Sequence, residues 1–185
     1  MTEVTIYYLE MHSPDSHKAK SITPDLQITE ACVKQYQVNR MLYELVGEDW
    51  CWNEKSDWTV SDWQQYCETD NLRTWMAYSQ GSIAGYFELQ KKHDAPRIDD
   101  EVNEGIDDEV NEGIDDEVNE IAYFGLTPKF IGRGFGGVML SEAITQAWRW
   151  GNPDRVIVNT CTLDHPSALS NYRSRGFEVV REKQI

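Results

Sequence analysis

The stretch at 128–137, PKFIGRGFGG, constrains the fold more than any other part of this chain. Four glycines, Gly132, Gly134, Gly136 and Gly137, fall within six positions, between an apolar run at 121–126 (IAYFGL) and a segment with helical spacing at Val138, Ile144, Ala147 and Trp148. The apolar run predicts a buried central strand that Pro128 ends. A strand that feeds a glycine-rich turn and then a helix gathers backbone N–H groups and the positive end of the helix dipole around one point. Such a point suits an anion. Glycine serves it because a side chain would block close approach and because some positions require positive φ. The turn lacks the Lys and Ser/Thr of a Walker A loop. Its spacing is GxGxG late in the chain, whereas a dinucleotide fingerprint wants GxGxxG after the first strand of a βαβ unit.

The rest of the sequence limits what surrounds that turn. At 185 residues, 40% of them hydrophobic and 11% aromatic, the chain suits a single domain with a sizeable core. No apolar run reaches the length that spans a bilayer, and the first residues lack the pattern of a secretory signal, so a soluble cytoplasmic protein without a membrane partner is expected. Cys32, Cys51, Cys67 and Cys161 are scattered without metal-ligand spacing, which points to reduced thiols and to no metal. The net charge of −15 argues against nucleic acid, which needs clustered Lys and Arg. From Ile98 an eight-residue unit, IDDEVNEG, is written almost three times, and the four acids of each copy account for twelve of those charges. This acidic insert at 98–120 reads as a solvated loop, because its glycines oppose a long helix and its charge opposes collapse.

Along the chain, residues 4–11 predict a strand, 29–46 a helix capped by Thr29, and the region from Ser61 a short helix with Ser61 and Gln64 at capping-box spacing. Five of the seven tryptophans, Trp50, Trp52, Trp58, Trp63 and Trp75, lie in this half, where packing is the favoured role and a wall of the acceptor pocket the minor one. Residues 74–90 read as a hairpin turning at Ser79, Gln80, Gly81 and Ser82. A strand at 155–163, a helix at 166–175 and a final strand complete the order β, α, α, β, β, β, α, β, α, β, a mixed α/β (α+β) domain.

Two motifs together resemble the GNAT superfamily of acetyl-CoA-dependent N-acetyltransferases. LTPKFIGRGFGGVML is similar to that superfamily's pyrophosphate-binding motif, Arg/Gln-x-x-Gly-x-Gly/Ala, with Ile131 where Arg or Gln is usual; ALSNYRSRGFEVV is similar to Ala-x-x-x-Tyr-x-x-x-Gly-Phe, filled by Ala168, Tyr172, Gly176 and Phe177. They cover the C-terminal third. The resemblance implies a mainly antiparallel central sheet flanked by helices, with the acidic loop before the fourth strand. It also implies acetyl-CoA as cosubstrate, its pantetheine arm on Tyr123, Phe124, Gly125 and Leu126 and its pyrophosphate on Ile131, Gly132, Arg133, Gly134, Phe135, Gly136 and Gly137. A backbone N–H from Phe124 to Leu126 would face the thioester oxygen, and Tyr172 would protonate the departing thiolate. The base that deprotonates the amine is first Glu120 and second Glu88. Asp164 and His165 read as caps of the last helix rather than a catalytic dyad. The acceptor is an amine of a small molecule or peptide, favoured as a cation by the acidic insert. The superfamily's seventh strand has no evident residues here, which leaves the sheet edge unpaired, shortened or completed by a second copy in a homodimer. The competing reading is a GNAT-like module that binds acyl-CoA without catalysis.

Overall fold

The computed structural model describes residues 3–50, 52–92 and 116–185. The repeat copies at 98–115 lie outside the described residues, so the expected acidic loop is not part of the description.

Alternation of β-branched and aromatic residues gives β1 at Thr5–Met11, and the hairpin is formed by β3, Leu72–Ser79, and β4, Ser82–Lys92. Gln80 and Gly81 both have positive φ, the backbone that lets a two-residue loop follow the twist of the strands. The fourth expected strand is longer than its apolar run: it spans Val118–Leu126 and absorbs the end of the insert, because Val118 and Asn119 are buried against the third helix. Asn119 Nδ2 donates to the Ala147 and Trp150 carbonyls at 2.7 Å each, satisfying the end of that helix. The remaining C-terminal elements are the helix Phe135–Arg149, the strand Arg155–Cys161, the helix Ala168–Ser174 and the strand Glu178–Gln184, each within a few residues of expectation.

Two expectations in the N-terminal half are corrected. Thr29 does not cap a helix; it belongs to a strand, β2, at Gln27–Glu30, paired antiparallel with β3. The helix, α1, begins seven residues later, at Tyr36–Gly47. Four residues are too few to display a period of two, and the pairing is fixed by tertiary contacts, including two 2.7 Å bonds that Arg73 donates to Glu30. The second helix, α2 at Val60–Cys67, is capped not by Ser61 but by Thr59, whose side chain and Asp62 form a reciprocal box. With these two strands and helices counted, the C-terminal elements become β5, α3, β6, α4 and β7.

All seven strands form one sheet in the order β2-β3-β4-β5-β6-β1-β7, antiparallel except between β5 and β6. The last strand is therefore not an unpaired edge beside β6. The chain's own β1 lies between β6 and β7 and pairs with both. Helix α3 packs on one face with the main core of Leu9, Phe87, Leu89, Met139, Leu140, Ile144 and Val156, and α1 lies over β4 and β5 with Leu42, Val46 and Tyr86.

Candidate active site

The parallel pair is short. β5 and β6 pair only through Val118, Asn119 and Glu120 opposite Arg155, Val156 and Ile157, and beyond these the two strands have no pairing with each other. Among the described residues, the β5 edge from Ile121 to Leu126 thus turns its free backbone groups to a cleft. A bulge sharpens the divergence: Glu88 faces Tyr123 and Leu89 faces Ile121, so Ala122 is the extra residue. The cleft is a cavity of about 1140 Å³.

One end of the cavity is the glycine turn. Gly132 and Gly134 both have φ of +80°, and Gly134 is the residue on which α3 begins, so the sequence requirement for glycine is met by backbone conformation at these two positions. Ile131, Gly132, Gly134, Gly136 and Gly137 line the cavity. Arg133 and Phe135 do not: the Arg133 guanidinium lies 4.9 Å from the Phe130 ring centroid, and Phe135 is buried and stacked on Phe130. Two cations that the motif did not single out stand at this end. Lys20 Nζ donates to the Gly134 carbonyl at 3.2 Å, and Arg175 Nη1 lies 3.6 Å from where a Cβ on Gly137 would be. Arg175 Nε is buried without a hydrogen-bond partner among the described residues. A helix N-terminus, left-handed glycines and two cations, one carrying an unsatisfied donor, fit a pyrophosphate.

The middle of the cavity carries the catalytic candidates. Tyr172, on α4, is packed edge-on against Phe124 and Phe177 at 6.0 and 6.1 Å, and burial, reinforced by Asp164, pushes its phenol well above the ordinary tyrosine value. It keeps its proton throughout the physiological range. Glu120 also lines the cavity, at the point where β5 and β6 part, and is bound by Lys92 at 3.1 Å and Asn159 at 3.4 Å. Glu88 does not line it. Its carboxylate is 1% exposed, accepts from Asn39 at 2.8 Å and from the Tyr66 hydroxyl at 2.6 Å, and burial raises its pKa. Tyr66, which does line the cavity, connects the two. Asp164 and His165 form no dyad: Asp164 accepts from Thr160 and the Cys161 amide, His165 Nδ1 accepts from the Ser167 amide, and the imidazole packs on Trp50.

At the other end the tryptophan-rich half supplies a wall. Trp52 packs against Tyr43, Tyr86 and Tyr123, and Tyr43 donates to Glu54 at 3.0 Å, pinning the turn between α1 and α2. Of the five tryptophans there, Trp50 and Trp52 line the cavity. Packing and wall are here one role. Among the described residues no group of three or more His, Cys, Asp or Glu could hold a metal, and no helix is long and apolar enough to cross a membrane.

The family model described as acetyltransferase (GNAT) matches residues 39–177. The fold is similar to that of a GCN5-related N-acetyltransferase from Kribbella flavida, with a TM-score of 0.61 and 13% identity, over 96% of this chain and 55% of that one. It is equally similar to an aminoglycoside acetyltransferase from an uncultured soil metagenomic sample, in complex with trehalose, with a TM-score of 0.60 and 15% identity over 89% and 95% of the two chains. A tandem GNAT protein of the clavulanic acid biosynthesis pathway matches with a TM-score of 0.60 and 12% identity, over 98% of this chain and 52% of that one. This chain thus spans about half the length of the first and third of these proteins. No curated protein sequence matches it.

Proposed function

Because the chain belongs to the acetyltransferase (GNAT) family, we propose that it moves an acetyl group from acetyl-CoA to a primary amine, of a small molecule or a peptide, by direct attack. The observation that carries this reading is one cavity lined at once by the free β5 edge, the glycine turn of α3 and Tyr172. Bound acetyl-CoA supplies an activated thioester. The edge groups of Tyr123, Phe124, Gly125 and Leu126 pair with the amides of its arm, and the turn from Ile131 to Gly137, with Lys20 and Arg175, holds its phosphates. Tyr172, which burial holds in its neutral form, carries the hydroxyl proton that passes to the leaving sulfur. Glu120 takes the proton of the incoming ammonium directly; Glu88 reaches the same space only through Tyr66. The reading assigns the protein to a compartment that contains acetyl-CoA, the cytoplasm.

A thermal-shift titration with acetyl-CoA, CoA and ATP tests it. A ligand at about a hundred times its dissociation constant stabilises the native state by roughly 2.7 kcal/mol. Both CoA species should raise the melting temperature and ATP should not. No rise with either CoA species would overturn the proposal, and a rise without turnover on any amine of a broad panel would leave acyl-CoA binding without catalysis.

A further inference from the structure

Lys55 sits on the turn between α1 and α2 and points inward. The residue is 7% exposed, and its Nζ lies 3.6 Å from the ring centroid of Trp58, 3.9 Å from that of Tyr66 and 5.0 Å from that of Tyr123. Among the described residues no hydrogen bond and no ion pair holds this ammonium. A lysine at a cavity wall ordinarily extends its stem along apolar surface and keeps the charge in water. Here the charge is surrounded by ring faces, whose negative quadrupoles attract a cation, and the carboxylates that support it are Glu88, bonded to Tyr66, and then Glu54. Burial outweighs that help and brings the lysine down to about 8.

The basket meets the large cavity on its tyrosine side, whereas Trp58 is not among the residues that line it. Lys55, Tyr66 and Tyr123 line it together with Glu54, Glu120 and Tyr172. Lys20 and Arg175 stand at the glycine turn, and the basket's part of the lining carries Lys55 and Lys92 as well as Glu54 and Glu120, so it is the ring faces that favour a cation there. The turn suits an anion, and the ring faces suit an ammonium in the place that Lys55 fills. We propose that the basket of Trp58, Tyr66 and Tyr123 is the subsite for the acceptor, an aliphatic primary amine bound as its alkylammonium, and that Lys55 occupies it as an intramolecular stand-in which the acceptor displaces. This rests on the acetyltransferase reading and names the acceptor class for it.

The test is a calorimetric titration of the full chain with n-butylammonium chloride, with n-butanol as the neutral match. Lys55→Ala vacates the basket and should bind n-butylammonium about tenfold more tightly than the unmodified protein, with no gain for n-butanol. Trp58→Ala in the same background should remove the gain, and Lys55→Met, which refills the basket with an uncharged chain, should show none. A folded Lys55→Ala protein with unchanged affinity for n-butylammonium, or with an equal gain for n-butanol, overturns the proposal. If Lys55→Ala does not fold alone, recovery of folding by n-butylammonium but not by n-butanol supports it, and absence of recovery overturns it. The CoA thermal shift is read on the same samples. A shift that persists without any ammonium gain sinks this inference alone, whereas its absence in the unmodified protein sinks the acetyltransferase reading.

Discussion

At the scale of single residues, burial divides the ionisable groups of the cavity by task. Tyr172 is packed between two phenylalanine rings, and its phenol has no hydrogen-bond partner among the described residues that removal would orphan. Tyr172→Phe should therefore preserve the melting temperature and the CoA shift while lowering turnover by about a hundredfold, the scale of a lost general acid. Steady-state kinetics on any accepted amine measure this, and unchanged turnover would remove the role. Glu88 illustrates the other task. Its partners, Asn39 and Tyr66, come from α1 and α2, so it ties both helices to β4 whatever part it plays with protons. Asn39 and Lys55 were invisible in the sequence for one reason. A polar residue on an apolar helix face, or a lysine in a turn, carries no local mark of the distant group that satisfies it.

At the scale of elements, the join between α4 and β7 connects the cofactor end to the N-terminal segment. Gly176 has φ of +107°, and a Cβ there would lie 2.0 Å from the Ser16 carbonyl oxygen. The Lys18 amide donates to the Arg175 carbonyl at 3.0 Å beside it. The glycine of the Tyr-x-x-x-Gly-Phe motif is thus required by close backbone approach as well as by φ. Gly176→Ala should destabilise the protein by about 2 kcal/mol or more, from strain and displaced backbone together. Since Arg175 and Lys20 flank the join, it should also weaken the CoA shift. Chemical denaturation with and without CoA measures both effects, and a variant as stable as the parent would refute the packing argument. Elements with a strong local signal, the hairpin and α3 above all, were legible in the chain. β2 was not, because its four residues gain strand structure only from the waiting edge of β3.

At the scale of the molecule, the sheet is completed by the chain's beginning. β1 lies between β6 and β7, in register with Cys161 back to Val156 on one side and with Gln184 back to Glu178 on the other. Removing residues 1–13 should strip both neighbours of a partner and abolish cooperative unfolding, as seen by circular dichroism; a truncated chain that melts like the parent would mean β6 and β7 hold without it. The same arrangement brings Lys20, just after β1, to the glycine turn more than a hundred residues away in sequence. What the sequence by itself determined is the local chemistry: the strand, glycine turn and helix of 121–149, the tyrosine motif of α4, and an acidic excess confined to one insert. These follow from short-range rules of φ, hydrophobic period and backbone hydrogen bonding. Only the tertiary structure decided where β1 and β2 pair, which cations meet the turn and that a lysine fills an aromatic basket. Those outcomes depend on contacts between residues far apart in the chain, whose partners no local pattern specifies.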